Sequence, residues 1–97
     1  MHQDRKKHMR TLYDPIFDIF GVLPQDFEYK RRAEQIEFEL NSRQTTIAER
    51  EAFDLYYKQG LSVTEISNFL GITKSAASRR LSRFRQRCRF RYLYLTK

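Results

Sequence analysis

Apolar residues along this chain recur mainly at three- and four-residue steps, the spacing that gathers them on one side of a helix. Leu12, Ile16, Ile19, Phe20 and Leu23 form the first such set. Asp14-Pro15 supplies a helix start, with Asp14 as cap and Pro15 in the first turn, and Gly21 and Pro24 hold this element to a short helix. A second helix is expected from near Pro24 or Asp26 to near Asn41. Tyr29, Ala33, Ile36 and Leu40 then make one inward stripe, and Lys30, Arg31, Glu34 and Glu37 face water. Residues 42–45 read as a linker.

Two capping boxes follow. Thr46-Ile-Ala-Glu49 opens a helix that should run to Gly60 with Ala52, Phe53, Leu55 and Tyr56 inward, and Ser62-Val-Thr-Glu65 opens a shorter one through Leu70. In each box the Ser or Thr hydroxyl accepts from the Glu amide while the Glu side chain reaches back. Beyond Leu70 the pattern reverses direction. Gly71 can take the left-handed conformation that turns the chain, Ile72 plugs the turn into the core, and Thr73 can cap the next helix. Ile66 and Leu70 face inward, and Ser67 is small enough for two helices to cross over it. Ala77, Leu81, Phe84 and Cys88 then define a buried stripe on a last long helix.

Helix, glycine-centred turn and second helix make a helix-turn-helix, a motif that presents its second helix to the DNA major groove. The expected fold class is therefore all-α: a small helical domain ending in a tri-helical helix-turn-helix. Three segments are expected: an N-terminal helical extension (1–45), the helix-turn-helix domain (46–89) and an aromatic, basic tail (90–97). The face opposite the Ala77–Cys88 stripe carries Ser75, Arg79, Ser82, Arg83 and Gln86, flanked by Lys74 and Ser78. Short polar residues near the helix start let it sink into a groove, and long donors further along reach base edges or phosphates. Arg80 stands where many such motifs place an apolar residue, with Leu81 taking the burial one position later.

Charge sharpens this picture. The net charge is +7, but residues 73–97 carry nine basic side chains and no acid, which leaves −2 for residues 1–72. The positive field belongs to one end, and phosphate backbones are its commonest partner. Residues 11–72 hold 11 acids against 6 bases, a face that would not favour DNA and could meet a basic protein patch. Cys88 is the single cysteine, so no intrachain disulfide can form, and a reducing, cytoplasmic compartment fits. Two scattered histidines and one cysteine do not make a metal site. No cofactor loop and no nucleophile with a paired base is present, so the chain is expected to be no enzyme. No apolar run is long enough for a membrane span.

The stretch TIAEREAFDLYYKQGLSVTEISNFLGITKSAASRRLSRFRQ, from Thr46 to Gln86, resembles the fourth conserved region of bacterial sigma factors, most nearly the extracytoplasmic-function type, in which an Arg-Leu pair falls as Arg80-Leu81 does here. The resemblance implies binding of double-stranded promoter DNA at the −35 element through the last helix. It also implies docking on the β flap of bacterial RNA polymerase. Carried over by position, it implies Lys74, Ser75, Ser78 and Arg79 as the groove-facing set and Arg83 as a phosphate contact; Thr73, Ser82 and Arg85 complete the residues assigned to DNA. Residues 1–45 are too short for the region that melts the −10 element. This points to a regulator that works without promoter melting of its own. The same tri-helical pattern occurs in phage terminase small subunits, which makes a phage or mobile-element assembly protein the rival reading.

The end of the chain is open at this level. Either the last helix stops near Arg89 and Phe90 to Leu95 forms an extended aromatic segment, or this segment packs on something. Phe90, Tyr92, Leu93 and Tyr94 are candidates for a protein-partner or homodimer contact. The apolar faces of the first two helices likewise either complete a core that would be marginal at about 41 residues or form a separate docking surface.

Overall fold

The computed structural model describes residues 14–95, with side chains through Arg91. Five helices follow in chain order: α1 (Pro15–Phe20), α2 (Tyr29–Leu40), α3 (Ile47–Phe53), α4 (Val63–Leu70) and α5 (Lys74–Leu95). The described residues contain no strand. The fold is all-α, as the sequence implies.

Each helix begins and ends where a side chain or a glycine satisfies the backbone groups that a helix leaves unpaired. The Asp14 carboxylate accepts from the Ile16 amide at 2.9 Å, and Gly21 ends α1 at φ 71°. That stop comes earlier than the apolar pattern allowed. Leu23 therefore falls in the turn, 37% exposed, rather than on a helix face, and Leu12 lies outside the described residues. α2 likewise starts later than expected, at Tyr29. Asp26 folds residues 23–26 into a turn instead, accepting from the Leu23 amide at 2.9 Å. Both capping boxes form: Glu49 N–H donates to Thr46 Oγ1 at 3.0 Å, and Glu65 N–H to Ser62 Oγ at 3.1 Å, with each glutamate reaching back to the cap amide.

α3 does not run on to Gly60 as an α-helix. At Asp54–Lys58 it widens into a π-helical turn, in which Gln59 N–H donates to Asp54 C=O at 3.0 Å. A widened turn inserts an extra residue and re-aims the side chains beside it. Tyr57 becomes the buried tyrosine here, while Leu55 and Tyr56 are half-buried. Its ring packs 4.8 Å from that of Phe53, which in turn meets Phe84 edge-on at 5.2 Å.

One apolar cluster joins all five helices. Ile16, Ile19 and Val22 from the first segment and Ile36 and Leu40 from α2 share it with Ala52, Phe53, Ile66, Ala77, Leu81, Phe84 and Cys88. The first two helices thus complete the core. The position between residues 45 and 46 marks a change of element and not a break in packing. α5 continues unbroken past Arg89 to Leu95, so Phe90 to Leu95 is helical and not extended.

Candidate nucleic-acid interface

Gly71 closes α4 at φ 69° and ψ 34°, and its amide donates back to Ser67 C=O. Ser67 is itself buried, and Ile66 is fully so, which lets α4 cross close to α5. Thr73 then caps α5, its Oγ1 accepting from the Ala76 amide at 3.1 Å. The reversal and the cap aim the start of α5, with its exposed amide donors and the partial positive charge they carry, out of the molecule.

The predicted inward stripe of α5 is observed: Ala77, Leu81, Phe84 and Cys88 are all 2% exposed or less. With one side anchored, the opposite side is fixed in space. Thr73, Lys74, Ser75, Ser78, Arg79, Arg83 and Gln86 are exposed, and Ser82 is half-buried at the margin. Lys74, Arg79, Arg80 and Arg83 enter no ion pair among the described residues. Short polar side chains over the first turns and free cations over the next two form a convex ridge. Such a ridge can enter a groove and reach both base edges and phosphates.

Arg85 does not belong to this ridge. Its Nε donates to the Tyr57 hydroxyl at 2.8 Å, its Nη2 lies 3.4 Å from Asp18 Oδ2, and its guanidinium sits over the rings of Tyr56 and Tyr57. At +3 from Ser82 it occupies the flank of the helix, where α1 and the π-turn of α3 can reach it. Burial opposes its charge, yet the Tyr57 hydroxyl and Asp18 hold its pKa above the usual arginine value. Burial, and then the bond to Asp18, push the Tyr57 hydroxyl pKa upward against the opposing pull of Arg85.

The three arginines that follow on α5 are also turned to protein. Arg87 donates from Nε to Glu39 Oε2 at 3.1 Å and pairs closely with Glu49 through Nη2, which also reaches Thr45 Oγ1 at 3.2 Å. Arg91 Nε donates to the other oxygen of Glu39 at 2.5 Å and lies over the Phe38 ring. Arg89 Nε donates to Ile19 C=O at 2.9 Å at the end of α1. Glu39 is fully buried, a position the inward stripe of α2 did not single out. The signal for it lay in two facts taken together: an acid between apolar positions, and an arginine-rich helix with no acids of its own.

Of the residues expected to meet a protein partner, Phe90 is 60% exposed. It continues the Arg79–Arg83–Gln86 line toward the far end of α5. Tyr92, Leu93 and Tyr94 lie outside the described side chains. Among the described residues no group of His, Cys, Asp and Glu is arranged to hold a metal ion, and no helix is long and apolar enough to cross a membrane.

Residues 46–88 match the family model described as Sigma-70, region 4, so this segment is similar to the sigma region 4 helix-turn-helix, a type of DNA-binding domain. Searches of curated proteins and of solved structures gave no match to the chain. The matched segment runs from the first capping box to the last residue of the buried α5 stripe and leaves α1 and α2 outside it.

Proposed function

We propose that the chain, with its sigma-70 region 4 segment at residues 46–88, is a transcription regulator that binds promoter DNA by inserting the first half of α5 into the major groove and that contacts bacterial RNA polymerase through the rest of its surface. One observation carries the reading. The exposed side of α5 presents Lys74, Ser75, Ser78, Arg79 and Arg83 clear of the core, while Ala77, Leu81 and Phe84 hold the helix from behind. In this reading Arg79 reaches a base edge and Arg83 a phosphate. The action is binding rather than catalysis, and its setting is the bacterial cytoplasm.

The polymerase contact is best served by the side of α3 turned away from α5. There Ile47 is 83% exposed beside a shallow groove formed with Arg50, Glu51, Asp54, Leu55 and Gln59. An apolar floor with a charged rim is the composition of a protein-binding patch.

The test is selection of bound duplexes from a random pool, followed by binding of variants to the selected and to random duplex. Arg79→Ala should cost about 1–3 kcal/mol on the selected duplex and relax the preference at one base pair, whereas Arg83→Ala should weaken both duplexes about equally. Equal losses on both duplexes for Arg79→Ala would overturn its role. For the polymerase contact, purified core polymerase should retain the protein, and Ile47→Asp should release it. A defined oligomer with no retention by polymerase would favour an assembly protein instead.

A further inference from the structure

We infer that the N-terminal helices act as an internal competitor for nucleic acid, with the Asp18 carboxylate standing where a DNA phosphate would otherwise engage Arg85. The inference deepens the proposed function, since it assumes that the same helix meets DNA. Region 4-like sequence ends at residue 88 and does not include α1 or α2, yet these two helices take up Arg85, Arg87, Arg89 and Arg91, together with Glu49 of α3.

The four captures are not alike. Arg87 and Arg91 converge on Glu39, whose side chain has no exposure, and Arg89 is bound to a carbonyl at the end of α1. These are structural ties. Arg85 differs in place and in partner. It lies one turn beyond Ser82, first of the four along the helix after the DNA-facing ridge, and its side chain is 22% exposed, as is that of Arg87. Its ionic partner, Asp18, is 30% exposed and sits at 3.4 Å, longer than the Arg87 and Arg91 contacts to Glu39. Tyr57 holds both ends, donating to Asp18 Oδ2 at 2.5 Å and accepting from Arg85 Nε at 2.8 Å. A carboxylate and a phosphate offer a guanidinium the same oxygen acceptors. Neutralising Asp18 while keeping its acceptor oxygen leaves Tyr57 bonded and frees the Arg85 charge for a backbone phosphate.

Each phosphate neutralised changes the slope of log K against log salt by about −0.9. The experiment measures that slope on a fixed duplex for the full chain and for Asp18→Asn, Arg85→Met, the double variant Asp18→Asn/Arg85→Met, and Glu34→Gln as an exposed charge-matched control. Asp18→Asn should bind more tightly at low salt and steepen the slope by about 0.9. Arg85→Met alone should leave the slope as it is, and the double variant should return to it. Glu34→Gln should not steepen it. Far-UV circular dichroism identifies folded variants. If Asp18→Asn unfolds, Asp18→Ser replaces it under the same expectation. A flatter slope for Arg85→Met would show that Arg85 already meets phosphate, and equal behaviour of Asp18→Asn and Glu34→Gln would show that only net charge matters. Either result overturns the inference and leaves DNA binding standing. Binding by neither the wild-type chain nor Asp18→Asn would overturn both.

Discussion

Replacing Arg87 by methionine should destabilise the protein far more than replacing Glu39 by methionine, although the two residues are partners. The reason is which charge is left behind. Arg87 bridges Glu39, with no side-chain exposure, and Glu49, with 7%. At a separation near 3 Å and an effective dielectric constant of about 20, each such pair has a gross attraction of roughly 5 kcal/mol, most of it offset by desolvation. Removing Arg87 strands two carboxylates that cannot reach water. Glu39 keeps only Arg91 and the Ser42 hydroxyl, and Glu49 keeps only its own capping contact to the Thr46 amide. The expected cost is about 3–5 kcal/mol. Removing Glu39 instead leaves Arg87 paired with Glu49, and leaves Arg91, 30% exposed, able to swing outward. No buried charge is then left uncompensated, so Glu39→Met should cost no more than about 1–2 kcal/mol. The double variant should recover about 1–2 kcal/mol relative to Arg87→Met, because one of the two stranded carboxylates is gone. Urea unfolding at neutral pH, followed by circular dichroism at 222 nm, reads all three against a total that for small domains is about 5–15 kcal/mol. If Arg87→Met lies within about 1 kcal/mol of wild type, or Glu39→Met costs more than Arg87→Met, the buried-carboxylate account of the α2–α5 joint is wrong.

Further outcomes follow from single contacts. Gly71→Ala should cost about 1–2 kcal/mol in the same assay: φ of 69° is strained for alanine, but a Cβ there would meet nothing within 4 Å, so no steric cost adds to it. The Cys88 thiol, pushed up to about 12 by burial and by the Glu39 charge against the pull of the nearby arginines, should react slowly with a disulfide reagent in the folded protein and fast once unfolded in urea. Because that folded pKa is raised, its contribution to stability is complete below pH 9 and is lost as the pH climbs toward 12. The hydrogen bond to Asp14, with burial, raises the Tyr29 hydroxyl to about 12, so the tie between α2 and the α1 cap holds below pH 10 and fails between pH 10 and 12. Tyr29→Phe should remove that part of the alkaline loss of stability, measured by thermal unfolding across the range.

The helix-turn-helix was legible because its determinants are local. A capping box needs two residues three apart, a left-handed stop needs a glycine, and a buried stripe needs apolar side chains at helical spacing, as at Ala77, Leu81, Phe84 and Cys88. The exposed ridge at Lys74, Ser75, Ser78, Arg79 and Arg83 follows from that stripe, because fixing one side of a helix fixes the other. The fate of Arg85, Arg87, Arg89 and Arg91 was not legible in the same way. A charge count treats each cation as free, and whether an arginine meets phosphate or carboxylate depends on residues up to 71 positions away, as in the Arg89 contact to Asp18. The π-turn at Asp54–Lys58 was hidden for a related reason. It alters which tyrosine is buried without leaving a break in the helical apolar pattern.

On the proposed reading, the first half of α5 enters the groove while α1 and α2 stay on the protein side. The most direct test is an amide nitrogen–proton chemical-shift titration of the labelled chain with a duplex selected from a random pool. Large shifts concentrated between Thr73 and Arg83, with small ones across Tyr29–Leu40, are the predicted result. Shifts concentrated on α2 or around Ile47 and Leu55, with α5 unmoved, would contradict it.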